Sequence, residues 1–542
     1  MKKTIGRFFM YLGIIIGVCI TAVLVCGVVL MTVPNSNIFG VRYIKLDKSH
    51  EFAYDETNIL NVDAIFIKTN RMSVSIEPNK INDKLIVSYK EGVSGFVDVN
   101  RAKVSYSAEV VQWSFNDNAG GAYNNVNTLM VVFEEPEGWV FPKQNAITLY
   151  VPEIMTPKLY SVQTQSGQID FVGEVGGFAI NETKLFMAKI EGGGSNVTIN
   201  YPKFDRYILK TDSGTASFKN YAHTAGSVTT NSIDASIEFA TNSGAFDVSN
   251  SRKNGTINGN VRIVSSSGVG GPRFKADIIN GNLNVISKTG FVTVGQLGAE
   301  GSPVGMQVFS TNVTIDIKKV YGTILSLPMD SEEPKVKYTI EELTTPALSE
   351  IEAGKGEVTI SKAVGNLIIT TTSGGIKVGS AKGNVSANTV TGTIDITFEQ
   401  TAPAYELNIT TKEGEIKANN MRGKVTISVL GESGKDKKMT LRFINVVKGS
   451  TISGRGYDID LISKVGSDIY MLVCSTSVTI NPNTSHGLFS PVSLSDPDYV
   501  SGAHSYRVGY TIWDDPRVND NIGKIVITKS TSKGNVTLSG EI

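Results

Sequence analysis

The groups best able to do chemistry gather near the C-terminus. His486, Asp496, Asp498, His504, Trp513, Asp514 and Asp515 fall within about 30 residues of one another. Paired carboxylates can act as acid and base on a glycosidic bond, and a tryptophan can serve as a platform for a sugar ring. The same stretch is rich in turn formers, with Asn481-Pro482, Asp496-Pro497 and Asp515-Pro516, and such pairs are common in solvated loops. We therefore read His486, His504, Trp513, Asp514 and Asp515 as a candidate ligand-contact loop and assign no catalytic, cofactor-binding or metal-binding residue. Trp113 and Trp139 could offer further sugar platforms, but core or cap packing is the simpler role for them.

Other chemistries lack their residues. The chain contains no Gly-x-Ser-x-Gly, no His-Glu-x-x-His, four histidines and three cysteines. Gly431-Glu432-Ser433-Gly434-Lys435 imitates a phosphate loop but lacks its four-residue spacing and the Ser/Thr after the lysine. Calcium-binding nonapeptide repeats need an aspartate where this chain places an apolar residue. No cofactor or metal is expected. Balanced charge, Lys+Arg 51 against Asp+Glu 51, argues against a nucleic-acid partner, which usually meets a basic patch.

The elements that would position any site are repetitive. Gly356, Gly365, Gly374, Gly383 and Gly392 stand nine residues apart. Each is followed at +2 and +4 by Val358/Ile360, Leu367/Ile369, Ile376/Val378, Val385/Ala387 and Ile394/Ile396, with polar residues between. Period-two alternation after a glycine predicts short strands joined by tight corners, where glycine relieves the strain of a positive φ. Two turn types recur. One is Thr-x-Ser-Gly, ending at Gly167, Gly214, Gly244 and Gly374, with variants ending at Gly290 and Gly414. The other is Gly-Asn or Gly-Lys, at Gly259, Gly281, Gly365, Gly383 and Gly423. Their alternation predicts two strands per unit of about 18 residues, stacked so that each unit buries its apolar residues against its neighbours. The steady step favours an all-β parallel solenoid. An antiparallel sandwich or meander stays open. Residues 295–350 and 430–470 break the step and read as insertions or wider coils.

The N-terminus carries a targeting or anchoring signal. Lys2, Lys3 and Arg7 precede an uncharged run from Phe8 to Val33, 26 residues long. As a helix it spans about 39 Å, enough to cross a ~30 Å hydrocarbon core with tilt. The run is long for a cleaved signal peptide and no Ala-x-Ala site closes it. Valines before Cys19 and Cys26 argue against a lipid anchor. We expect an uncleaved single-pass anchor with the N-terminus cytoplasmic and the ectodomain outside. The C-terminal residues show no hydrophobic tail or wall-sorting signal, so the N-terminal helix is expected to be the only anchor. Beyond it the chain carries 48 basic against 51 acidic residues. Cys474 is alone outside the apolar run, so no internal disulfide can form there, which fits a bacterial envelope protein.

The domain reading follows: residues 1–33 form a tail and anchor, 34–155 a β-rich cap, 156–479 the repeat, and 480–542 an irregular loop with terminal strands. Ile147-Thr148-Leu149-Tyr150-Val151-Pro152, followed by Leu159 to Ile169 with its Thr164-Gln165-Ser166-Gly167 turn, resembles the bacterial "putative adhesin" family of Gly-centred β-strand repeats. The resemblance covers roughly residues 60–430. It implies an all-β, envelope-located, non-catalytic protein and carries over no site residues. The expected role is a surface binding scaffold, with polar side chains such as Thr359, Lys377, Ser386 and Asp395 meeting cell-wall glycans or surface proteins through many weak contacts. An envelope-stress sensor or regulator is the alternative, and a polysaccharide-active β-helix enzyme is a third.

Overall fold

The computed structural model describes residues 2–33, 255–329 and 333–430 (apart from 402), and most of 38–254 and 437–540; it does not describe 431–436, 481–488, 496–502 or 509–522. Gly431–Lys435 therefore lies outside the described residues. The chain divides into two compact units, 1–230 and 231–542.

In the first unit, helix α1 runs from Lys2 to Thr32. Its segment Met10–Thr32 has a mean hydropathy of 3.0 and is long and apolar enough to cross a membrane, a property that signal sequences share. Thr21 and Thr32 donate their hydroxyls to Gly17 O and Val28 O at 2.8 Å, so neither polar group needs an outside partner. After the helix come long antiparallel strands. Val41–Tyr54 pairs with Leu85–Asp98 along its whole length, and Ser105–Asn116 forms a hairpin with Ala122–Glu134. Trp113 on that hairpin packs against Phe66 at a ring distance of 4.9 Å, taking the packing role rather than standing alone as a platform. Parallel pairing begins at Ala64–Thr69, which lies between Ala122–Glu134 and Leu159–Thr164. Ser73–Pro78 lies likewise between Ala146–Val151 and Ile169–Val172. The parallel stack thus runs across residue 155, and the long antiparallel strands precede and flank it.

The second unit is the repeat in its regular form. Val358 pairs with Ile376, and Ile376 with Ile394, each 18 residues on. Leu367 pairs with Val385 at the same step. From Lys337–Thr344 to Ser450–Arg455 each strand thus hydrogen-bonds to the strand two places later in sequence, always parallel, which is a solenoid of two strands per coil. Inward residues form ladders. One runs Phe246, Phe274, Val292, Ile315, Tyr338, Val358, Ile376, Ile394, Ile416, Met439, Ile459 and Val536 in unbroken register. None of these is more than 1% exposed. Each aliphatic rung contributes roughly 1.5–3 kcal/mol by leaving water. Tyr338 is tolerated because its hydroxyl donates to Ser326 Oγ at 2.6 Å, and Ser326 donates to Glu352 O at 2.7 Å.

The irregular stretches are wider coils. Leu283 pairs with Met306, Ile416 with Met439 and Thr426 with Thr451, each across a longer loop of chain, yet parallel pairing continues. Near the end, Phe489–Pro491, Ala503–Val508 and Gly523–Lys529 form an antiparallel patch. Asn535–Gly540 then returns to lie parallel between Asp458–Ser463 and Ser477–Ile480.

The repeat glycines have two physical causes. Gly365 and Gly423 do take positive φ, 111° and 89°, as a corner glycine should. Gly356, Gly374, Gly392 and Gly414 do not. A Cβ at Gly374 would overlap the carbonyl oxygen of Gly356, one at Gly392 that of Gly374, and one at Gly414 that of Gly392. At this corner glycine is required by the coil beneath it, which corrects the single explanation expected from sequence.

Candidate binding faces of the repeat

Of the residues predicted as a ligand-contact loop, His486, Trp513, Asp514 and Asp515 lie outside the described residues, as do Asp496 and Asp498. His504 sits in the strand Ala503–Val508, opposite Ile527. Among the described residues no group of three or more His, Cys, Asp or Glu is placed to hold a metal ion. What the second unit does offer is two lateral faces, joined by the two turn types.

The Thr-x-Ser-Gly turns lie along one edge. The threonine that opens each turn points inward: Thr371 is 3%, Thr389 6% and Thr411 0% exposed. Thr389 Oγ1 accepts from the Gly392 amide at 3.0 Å, and Thr411 Oγ1 from the Gly414 amide at 2.8 Å. Thr241 repeats this with Gly244 at 2.7 Å. Thr371 Oγ1 and Thr389 Oγ1 are 2.9 Å apart, so successive coils are also linked through their hydroxyls. A buried amide left unpaired here would cost about 1–3 kcal/mol, which explains the threonine. Tyr457 adds to this edge by donating to Gly414 O at 3.0 Å. Burial, and then the nearby Glu413 and Glu415 carboxylates, push its pKa up to about 12.

The Gly-Asn turns lie along the other edge and form a side-chain ladder. Asn260 Oδ1 accepts from the Asn282 amide at 2.9 Å, and Asn282 Oδ1 from the Gly305 amide at 2.7 Å. Asn366 Oδ1 accepts from the Asn384 amide at 3.1 Å, and Asn384 Oδ1 from Glu406 at 2.8 Å. Each asparagine thus fastens its coil to the following one.

Between these edges the faces differ in chemistry. The first is made of Lys337–Thr344, Val358–Val364, Ile376–Lys382, Ile394–Phe398, Ile416–Gly423 and Lys438–Val446. Thr359, Lys377, Asp395 and Lys417 form one of its outward rows. Ion pairs run from coil to coil: Lys319 and Lys362 both flank Glu342, at 3.3 and 3.9 Å, Lys337 meets Glu357 at 3.3 Å, and Lys382 meets Glu399 at 3.1 Å. Lys355 reaches Glu333 at 2.9 Å, and a hydrogen bond from Thr372, together with Lys355, holds the exposed Glu333 carboxyl below its usual range.

The second face is made of Leu367–Thr371, Val385–Thr389, Leu407–Thr411, Val425–Val429 and Ser450–Arg455. The first two outward positions of each strand carry Ile368/Thr370, Ser386/Asn388, Asn408/Thr410, Thr426/Ser428 and Thr451/Ser453, aligned in two rows. None is charged. Seven are hydroxyls and two are amides, spaced about 4.8 Å along the stack and about 7 Å along each strand. Ser386, grouped by sequence with Thr359, Lys377 and Asp395, belongs to this face and not to theirs. The neutral face went unnoticed in sequence because its members are scattered over 86 residues, 368–453, and only the coil register brings them together.

Comparison with known proteins places this architecture. The profile of the family described as Toastrack DUF4097 matches residues 62–441, about 70% of the chain. The chain belongs to this Toastrack family. Among solved structures, it is similar to a "putative cell adhesion protein" from Clostridium sporogenes, with 10% identity over 52% of this chain and 100% of that one, at a TM-score of 0.17. It is also similar to a "putative adhesin" from Parabacteroides distasonis, with 10% identity over 69% of this chain and 96% of that one, again at 0.17. No curated protein matches it in sequence. The Toastrack match ends at 441, so the last coils and the terminal strands extend beyond it.

Proposed function

We propose that this Toastrack protein is a non-catalytic binding scaffold, held in the cell membrane by α1 as a single span with the β-repeat outside the cytoplasm. The observation that carries the reading is the neutral face, ten aligned outward positions without a charge across five strands. A face of this kind suits an extended uncharged polymer such as a cell-wall glycan, whose hydroxyls recur along its length. Each contact is weak, and retention comes from their number. Hydroxyl and amide groups can both donate and accept, so the face can match sugar hydroxyls without the desolvation cost of a buried charge.

The test uses the full-length protein in detergent, sedimented with insoluble neutral polysaccharides such as chitin or β-glucan. The wild type is expected in the pellet. Thr410→Lys with Thr426→Lys should lower retention about tenfold while leaving thermal unfolding unchanged. Equal retention of wild type and double variant would remove the neutral face from the account. Carbonate extraction of membranes and protease accessibility of the repeat test the placement of α1.

A further inference from the structure

The charged face contains one recess that the scaffold reading leaves unused. It lies near the start of the second unit, has a volume of about 390 Å³, and is lined by Ala245, Asp247, Arg273, Lys275, Phe291 and Thr293 over the backbone of Phe246 and Phe274. Register explains how it forms. Ala245, Arg273 and Phe291 are consecutive in one outward row, and Asp247, Lys275 and Thr293 in the next. Ala245 ends at its Cβ, so the row steps down beside two long side chains. Beneath, the inward rings of Phe246 and Phe274 stack at 4.9 Å and 4° between planes, which gives the recess a firm floor.

Two features of this recess matter together, and the first is foreign to the rest of the face. Phe291 is 54% exposed, in a row whose next members are Thr314 and Lys337. Arg273 and Lys275 are not ion-paired with any described residue, as Lys377 and Lys417 further along the face are not, but here the two cations flank an exposed aromatic ring. Asp247 is the single carboxylate in the lining and has an interaction of its own. The recess therefore combines an aromatic surface, two available cations and a flanking hydroxyl at Thr293. A sugar ring presents an apolar C–H face to an aromatic ring, and a guanidinium forms paired charge-assisted hydrogen bonds with carboxylate or phosphate oxygens.

We infer that this recess is a binding subsite for one anionic saccharide or polyol unit, its carboxylate or phosphate on Arg273 and Lys275 and its ring or carbon chain on Phe291. The subsite is separate from the neutral face and does not rest on the reading given to that face. The volume lies at the low end for small-molecule sites and suits one or two such units.

Isothermal titration of the full-length protein in nanodiscs tests it with three probes: trigalacturonate, a glycerol phosphate trimer and the neutral galactotriose. At least one acidic probe should bind, galactotriose should bind at least about tenfold more weakly, and added salt should weaken the acidic probe. Arg273→Ala with Lys275→Ala should weaken acidic binding about tenfold or more, since hydrogen bonds to charged groups are lost. Phe291→Ala should weaken it about threefold to tenfold, and Phe291→Tyr should restore it. Which acidic probe binds separates a carboxylate source from a phosphate one. All of these positions face outward, so unchanged thermal unfolding is expected and excludes misfolding. The inference is overturned if neither acidic probe binds at millimolar concentration, if galactotriose binds equally well, or if the double variant binds as the wild type does. Thr410→Lys with Thr426→Lys should leave this titration unchanged, which separates the fate of this subsite from that of the neutral face.

Discussion

The two lateral faces of the second unit share the same turns, yet one is laced with ion pairs and the other presents ten aligned outward positions without a charge across five strands. Inward positions and corners are answerable to the coil above and the coil below. Outward positions answer to neither, so their chemistry can follow whatever meets the surface. The charged face uses that freedom for salt bridges along the stack, each partly exposed and worth roughly 0–1 kcal/mol. The neutral face uses one of its seven hydroxyls along the stack, Ser453 donating to Ile427 O at 3.3 Å, and that contrast makes it the candidate for contact.

If this division holds, the largest damage should come from the corners the faces share. Gly374→Val would drive its side chain into the Gly356 carbonyl and should cost about 3 kcal/mol, read as a shift in the urea midpoint. Thr389→Val keeps the shape but leaves the Gly392 amide without its partner, while Thr371 retains Gly374 O. A loss of about 1–3 kcal/mol is expected. A value near zero would show that the corner is held by packing alone.

Alkaline titration probes the same edge. The folded pKa of Tyr457 is raised to about 12 from an ordinary 10, so the folded state favours the protonated phenol. Its contribution is fully present below pH 10 and is lost as pH rises from 10 towards 12. Stability should therefore fall over that window, and Tyr457→Phe should make the fall shallower while costing about 1 kcal/mol at neutral pH. Smaller still is Thr410→Lys, where stability should change by less than about 0.5 kcal/mol although polymer retention falls measurably. Lys382→Ala, which removes a bridge to Glu399, should change stability by a few tenths of a kcal/mol and retention not at all. If Lys382→Ala reduced retention as much as Thr410→Lys, the division between the faces would fail.

Much of this architecture could be read from residue spacing. Gly356 to Gly392 marked the corners, and the +2 and +4 residues after them proved to be the buried rungs. Wider coils at 295–350 and 430–470 were foreseen as one of two options. Three things were not legible. The glycine requirement at Gly374 comes from the carbonyl of another coil, and nothing local to Gly374 reports it. The inward threonine of Thr-x-Ser-Gly looks polar and solvated until its partner amide is located. Above all, membership of a face depends on which strand stacks on which. Ser386 is nine residues from both Lys377 and Asp395, each a strand away along the chain, yet it faces a different side. Val41–Tyr54, Leu85–Asp98 and Ser105–Asn116 obey a different rule, since these long strands pair antiparallel and announce no fixed step.

The coil-to-coil bonding also has a mechanical meaning. Along 333–430 each coil is held to the next by parallel backbone hydrogen bonds that lie along the stack axis, reinforced by the Asn366–Asn384–Glu406 and Thr371–Thr389 links. Tension applied along the stack pulls along those bonds, so coils should peel off singly instead of giving way together. An 18-residue coil releases about 60 Å of chain when drawn out. Under load such a stack would pay out slack in steps, behaving less like a rod than like a spool.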